Sequence, residues 1–171
     1  MTRPVAVLVG PPGAGKTTVG ELLAARLGVT FRDVDHDIEA SAGKPISDIF
    51  VDDGEEAFRA LEAAAVATAL AQHDGVLALG GGAVLADATR AVLRGHRVVH
   101  LNVGLADAVD RVGLNTARPL LALNPRATMR TLLAQRAPLY AEVATVTVDT
   151  DGRTPEEVLA DVIEQLDEVP A

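Results

Sequence analysis

Val5-Ala6-Val7-Leu8-Val9-Gly10-Pro11-Pro12-Gly13-Ala14-Gly15-Lys16-Thr17 carries an unbroken apolar run straight into a glycine-rich loop. Such a run predicts a strand buried on both faces of a parallel sheet. From Thr17 to Leu27 the apolar residues Val19, Leu22, Leu23 and Leu27 recur at helical spacing, and Gly28 supplies a left-handed residue to end the helix. Strand, loop and helix together make one βα unit.

The alternation continues downstream. Strands are expected at 29–34, 76–79, 98–103 and 144–148, with helices at 55–72, 87–93, 105–112, 128–136 and 155–166. The last helix is marked by Thr154 as N-cap, Pro155 at its first position and Glu157 as capping-box partner. Residues 113–125 lack either periodicity and predict a mobile loop. Five strands alternating with helices predict an α/β fold, a three-layer α/β/α sandwich around a five-stranded parallel sheet.

Composition narrows what such a fold can do. With 171 residues and 49% hydrophobic types, one domain over residues 1–171 can bury its own core. The chain has no cysteine, which excludes disulfides and thiolate metal sites and fits a reducing cytoplasm. No apolar run approaches the roughly 20 residues of a membrane-spanning helix, so no membrane association is expected. A formal net charge of -9 without a Lys/Arg cluster argues against nucleic acid as a partner.

Only Lys16 and Lys44 among the 15 basic residues are lysine, so a lysine inside the glycine-rich loop is not background composition. The spacing Gly10, Gly15, Lys16, Thr17 matches G-x-x-x-x-G-K-[ST] and lies between a buried strand and a helix start, where phosphate binding requires it. Backbone N–H groups of Gly13, Ala14 and Gly15 can curl around phosphate oxygens, the helix start at Lys16, Thr17 and Thr18 adds its positive dipole end, and the ammonium reaches the β and γ oxygens. The Thr17 hydroxyl is placed to meet Mg²⁺. A nucleoside triphosphate is the expected ligand.

Several classes use such a loop. A GTPase needs a guanine-reading Asn-Lys-x-Asp segment, which a chain with lysine only at positions 16 and 44 cannot supply. A motor ATPase ends an apolar strand in a metal-binding carboxylate, whereas the strand at 76–79 ends in Gly80-Gly81-Gly82. The acid must come from Asp33-Val34-Asp35-His36-Asp37, at the carboxyl end of the second strand. In an extended chain Asp33 and Asp35 share a face. One carboxylate then serves Mg²⁺ and the other meets an acceptor hydroxyl, either orienting it or taking its proton. Asp37 is expected to cap a helix starting at Ile38.

The phosphate loop, Asp33-x-Asp35, Gly54-Glu55-x-x-Phe58-Arg59-x-x-Glu62, Gly80-Gly81-Gly82-Ala83, Arg118-Pro119-Leu120 and Arg136-x-Pro138-x-Tyr140 occur in that order over nearly the whole chain. Together they resemble shikimate kinase. The resemblance implies a P-loop kinase fold and transfer of the ATP γ-phosphate to the 3-hydroxyl of shikimate, in the route to chorismate and the aromatic amino acids. It also implies a cytoplasmic monomer, a substrate-binding helical segment at about 36–62 and a lid at about 113–125. The looser alternatives are another small-metabolite kinase, such as a gluconate kinase, or a nucleotide-binding regulatory module without turnover.

Residue by residue, the resemblance assigns Arg59 and Arg136 to the substrate carboxylate, for which guanidinium forks offer bidentate hydrogen bonds. Asp35 matches the aspartate at the ring hydroxyls and Asp33 the one linked to the Mg²⁺ shell. Gly80, Gly81 and Gly82 give backbone access to the substrate, and Phe50 and Phe58 pack beside its ring. Arg118 matches a lid arginine that neutralises charge during transfer, making Lys16, Asp35 and Arg118 the catalytic set. Arg111 and Arg153, with Pro155, match positions flanking adenine. The stretch 114–124 departs from an ordinary polar lid, since Arg118 is its only charge among Leu120, Leu121 and Leu123.

Overall fold

Ala6–Val9 forms β1, and all of its residues are buried, as a strand between two helical layers must be. The computed structural model describes residues 2–112 and 124–170. Lys16–Leu27 follows as α1, bracketed by Gly15 and Gly28 at φ 89 and 69, left-handed positions that glycine occupies without steric penalty. The sheet adds β2 (Phe31–Asp33), β3 (Val76–Ala78), β4 (Val98–Asn102) and β5 (Val146–Asp149) in the order β2-β3-β1-β4-β5. Every pairing is parallel. β1 is therefore central, and its loop opens between β3 and β4.

Alternate residues of β1 feed opposite layers. Ala6 and Leu8 join a core with Val19 and Leu23 of α1 and with Val158 and Val162 of α8 (Pro155–Asp167). Val7 and Val9 face the other layer, with Val66 and Leu70 of α4 (Glu55–Gln72) and Leu93 of α5 (Asp87–Leu93). The period-2 geometry of a strand places helices on both faces, which is the three-layer α/β/α arrangement expected from the sequence. The capping box at Thr154 and Glu157 is present and contributes about 1 kcal/mol. No helix among the described residues is long and apolar enough to cross a membrane.

Several boundaries differ from the sequence reading, most of them by one or two residues at strand ends. β2 ends at Asp33, and α2 (Val34–Ala42) starts at once, with Asp33 as its N-cap accepting from the Asp35 N–H. Asp37, expected to be that cap, instead lies in the first turn and pairs with Arg32 at 2.7 Å. The helical segment after it resolves into α2, α3 (Ile46–Asp53) and the start of α4. Finally, α6 (Leu105–Val112) is followed by α7, which covers Pro125–Val143 rather than 128–136 and continues through Pro138. Proline removes one helix hydrogen bond, but Tyr140 is buried in the second core with Leu139 and Val143 packed against it, and that burial holds the last turns. Asn124 and Pro125, assigned to the loop, cap and open α7.

Candidate active site

The carboxyl ends of β1, β2 and β3 converge on one cleft of about 270 Å³, lined by Gly13, Gly15, Lys16, Thr17, Thr18, Asp33, Asp35, Gly80, Gly81, Arg111 and Val112. That is where ligands bind in open parallel sheets. On one side the loop turns through Gly13 and Gly15 at φ 84 and 89, so the start of α1 faces the cleft with its N–H groups. Lys16 Nζ donates to the carbonyls of Gly10 at 2.7 Å and Pro11 at 3.0 Å. These contacts hold the cation over the loop, at the place phosphate oxygens would occupy. Ala14 is buried against the first core and reaches the loop only through its backbone.

Asp33 joins two of these parts. One carboxylate oxygen accepts from the Asp35 N–H at 2.9 Å, and the other accepts from the Thr17 hydroxyl at 3.4 Å. Thr17 and Asp33 thus stand together as hard oxygen donors beside the phosphate loop. No group of three or more His, Cys, Asp or Glu is placed to hold a metal among the described residues. The paired Thr17 and Asp33 oxygens are the kind of donors Mg²⁺ takes, since it binds through one or two protein oxygens and otherwise through water and substrate phosphates. The expected shared face of Asp33 and Asp35 on an extended strand is corrected here. Asp35 belongs to the first turn of α2, and it reaches the cleft because the helix starts one residue after the strand ends.

Beyond Asp35 lies the glycine run, and packing explains its composition. A Cβ on Gly80 would stand 2.6 Å from Asp35 Oδ1 and 2.9 Å from Glu62 Oε2. On Gly81 it would meet the Pro12 ring at 2.9 Å, and on Gly82 it would meet the Arg59 guanidinium. Asp35, Glu62, Pro12 and Arg59 therefore close onto backbone that only glycine leaves bare.

Arg59 is fixed from several directions. Its Nη1 donates to Glu62 Oε1 at 2.8 Å, and its Cζ lies 5.2 Å from the Phe58 ring centroid and 5.9 Å from that of Phe50. The two rings are 4.9 Å apart. Burial pushes the Glu62 carboxyl above its ordinary range, while Arg59 and Arg136 oppose the shift. Arg136 is itself only 6% exposed. Desolvation lowers its pKa against the pull of Tyr140, which leaves a guanidinium charged and poorly hydrated, ready for a carboxylate.

The structure thus brings together the loop residues, Asp33, Asp35, Arg111 and Gly80–Gly82, with Arg59, Phe50, Phe58 and Arg136 grouped behind the glycine run. Arg111 bridges α6 to the loop, donating to the Gly13 carbonyl at 3.0 Å and to the Thr150 carbonyl at 2.9 Å. Arg153 and Pro155 stand outside the cleft lining. The Arg153 guanidinium donates to the carbonyls of Asp149 and Glu157 and pairs with Asp161 at 3.1 Å, bracing the corner between β5 and α8. Arg118 lies outside the described residues.

Two residues quoted in the sequence motifs acquire roles there that the sequence had not assigned. Glu62 could have been found from its i,i+3 spacing to Arg59 on one helix face. Tyr140 is the only tyrosine in the chain, and its hydroxyl donates to the Gly81 carbonyl at 2.5 Å. Burial pushes its phenol up to about 12, against the pull of Arg136. A raised phenol pKa gives stability that is complete below pH 10 and lost as pH climbs toward 12, about 2–3 kcal/mol for a shift of this size. With a single tyrosine and no tryptophan, an alkaline absorbance titration should show one tyrosinate transition centred near pH 12. A midpoint at the ordinary phenol value would mean that Tyr140 is open to solvent.

The shikimate kinase family model matches residues 12–167. The chain belongs to the shikimate kinase family. A shikimate kinase of Salinispora tropica is 69% identical over 93% of this chain and 95% of its own length. One from Thermobifida fusca is 61% identical over 96% of both. Among solved structures, the shikimate kinase of Acinetobacter baumannii in complex with shikimate superposes with a TM-score of 0.93 at 36% identity, covering 98% of this chain and 94% of that one.

Proposed function

We propose that the chain transfers the γ-phosphoryl group of ATP to the 3-hydroxyl of shikimate, releasing shikimate 3-phosphate and ADP. The observation that carries this reading is the placement of Asp35 between the two halves of the site. It lines the phosphate-loop cleft, and its Oδ1 occupies the space a Cβ on Gly80 would need, beside the Arg59–Glu62 pair.

In this reading Arg59 and Arg136 hold the carboxylate of shikimate, with Phe50 and Phe58 packed beside Arg59 and the ring. The glycine run receives the ring edge, and Asp35 accepts a hydrogen bond from the 3-hydroxyl. The hydroxyl oxygen attacks the γ-phosphorus as the bond to the ADP oxygen breaks, and the hydroxyl proton passes to the Asp35 carboxylate. Lys16 and the N–H groups from Gly13 to Thr18 bear the charge on the phosphate oxygens. Thr17 and Asp33 would hold Mg²⁺, which supplies charge neutralisation at the phosphates when bound.

Arg111 borders the nucleotide side of the cleft, with Arg153 and Pro155 at the neighbouring corner completing the adenine surroundings. Arg118 is assigned to the phosphates from the lid. The reaction is taken to run in the cytoplasm on a monomer.

An acceptor screen tests the reading. Shikimate should stimulate ADP release in a coupled assay, by far more than gluconate or a nucleoside monophosphate. Stimulation by gluconate and not by shikimate would transfer the chain to another branch of small-metabolite kinases, and ATP binding without any acceptor response would make it a regulatory module.

A further inference from the structure

The guanidinium of Arg136 and the glycine run come from distant parts of the chain, and one side chain stands beside both. Tyr140 lies one helical turn beyond Arg136 on α7, the spacing at which side chains meet. Its hydroxyl donates to the Gly81 carbonyl, 59 positions away in sequence, at 2.5 Å. The Arg136 guanidinium stands near the same hydroxyl, close enough for each group to shift the other's ionisation. A phenol has one proton and two lone pairs, so it can give its proton to the carbonyl and receive one from the guanidinium at once.

That placement bears on both partners. An Arg136 N–H given to the Tyr140 oxygen would orient the planar fork and leave four further donors for a ligand. The Gly81 carbonyl, once tied to α7, fixes the plane of the Gly81–Gly82 peptide. In a trans peptide the Gly82 N–H then points away from Tyr140. The tyrosine is held in turn. It is 1% exposed, and its ring stacks on His100 of β4 with centroids 5.0 Å apart and planes at 26°.

We propose that Tyr140 is a positioning residue of the acceptor pocket, locking the Arg136 fork and the Gly80–Gly82 backbone into one preassembled frame for the carboxylated ring. This rests on the reaction assigned above. Tyr140 is not among the residues that line the phosphate-loop cleft, so its loss should weaken the acceptor's hold and spare the nucleotide's.

Tyr140→Phe keeps the buried ring and the His100 stack while removing the hydroxyl. It should raise the shikimate KM about tenfold, leave the ATP KM unchanged and keep kcat within about twofold. Because the effect passes through Arg136, the same substitution made in Arg136→Ala should add less than about twofold to an acceptor KM that is already raised. A shikimate KM within about twofold of wild type, or independent multiplication of the two effects, would overturn the proposal.

A second measurement needs no substitution. Since Tyr140 is the only tyrosine and tryptophan is absent, shikimate binding should change the intrinsic tyrosine fluorescence of the wild-type chain as Arg136 engages the carboxylate, with a midpoint near the acceptor KM. A flat signal under saturating shikimate would count against the coupling. Wild-type turnover, run alongside, separates the failures. If wild type ignores shikimate, the reaction assignment falls and this inference with it, whereas normal turnover with an unmoved KM in Tyr140→Phe removes the role of Tyr140 alone.

Discussion

Lys16→Ala should lower kcat/KM for ATP on the order of 10³-fold, whichever acceptor is offered. The size follows from the lack of a substitute. The only other lysine, Lys44, pairs with Asp52 and Asp53 at 3.0 and 3.2 Å, and Arg111 is already bonded to Gly13 and Thr150. Arg118 and Mg²⁺ are assigned to the phosphates as well, but the place over the Gly10 and Pro11 carbonyls belongs to the Lys16 ammonium. Lys16→Arg should not restore activity, because a planar fork cannot take the place of a compact ammonium between the Gly10 and Pro11 carbonyls. Shikimate affinity without nucleotide, read by calorimetry, should stay within about twofold of wild type, since Arg59 and Arg136 are untouched. Activity within about tenfold of wild type would mean that the backbone N–H groups, Arg118 and Mg²⁺ carry the phosphate charge without the lysine.

The phosphate half of the site was legible because it is local. Strand, glycine turn, lysine and helix start are contiguous, and backbone geometry confined to fourteen or so residues needs nothing from the rest of the fold. The acidic segment was legible in its residues and not in its geometry. In Val34-Asp35-His36-Asp37-Ile38 three polar residues separate two apolar ones, and Val34 and Ile38 are both buried four residues apart, the helical period, so the segment is a helix although it follows a strand directly. The helix wins because Asp33 can cap it.

The acceptor half was the least legible, since its contacts are long-range. Nothing near Gly81 announces a tyrosine from α7, and nothing near Pro138 announces that the helix continues far enough to deliver it. Likewise the glycine run looked like a concession to substrate, whereas its Cβ positions are already filled by Asp35, Glu62, Pro12 and Arg59. Resemblance supplied those assignments in advance, and tertiary packing supplies their cause.

Asp35→Asn should reduce kcat about 10²- to 10⁴-fold while ATP affinity remains near wild type, because the substitution keeps shape and removes only the capacity to take a proton. The helix cap belongs to Asp33, and the hydrogen bond that forms it uses the Asp35 backbone N–H rather than its side chain. Neither α2 nor the Thr17–Asp33 contact should therefore suffer, and thermal stability should change little. An asparagine can still accept from the 3-hydroxyl through its amide oxygen, so a residue that only orients the hydroxyl would survive the change with a modestly raised shikimate KM and most of its kcat. Loss concentrated in kcat assigns the proton to Asp35. Loss confined to KM would make the aspartate an anchor, leaving the proton to depart with the phosphate oxygens after a loose transition state in which the hydroxyl is barely acidified.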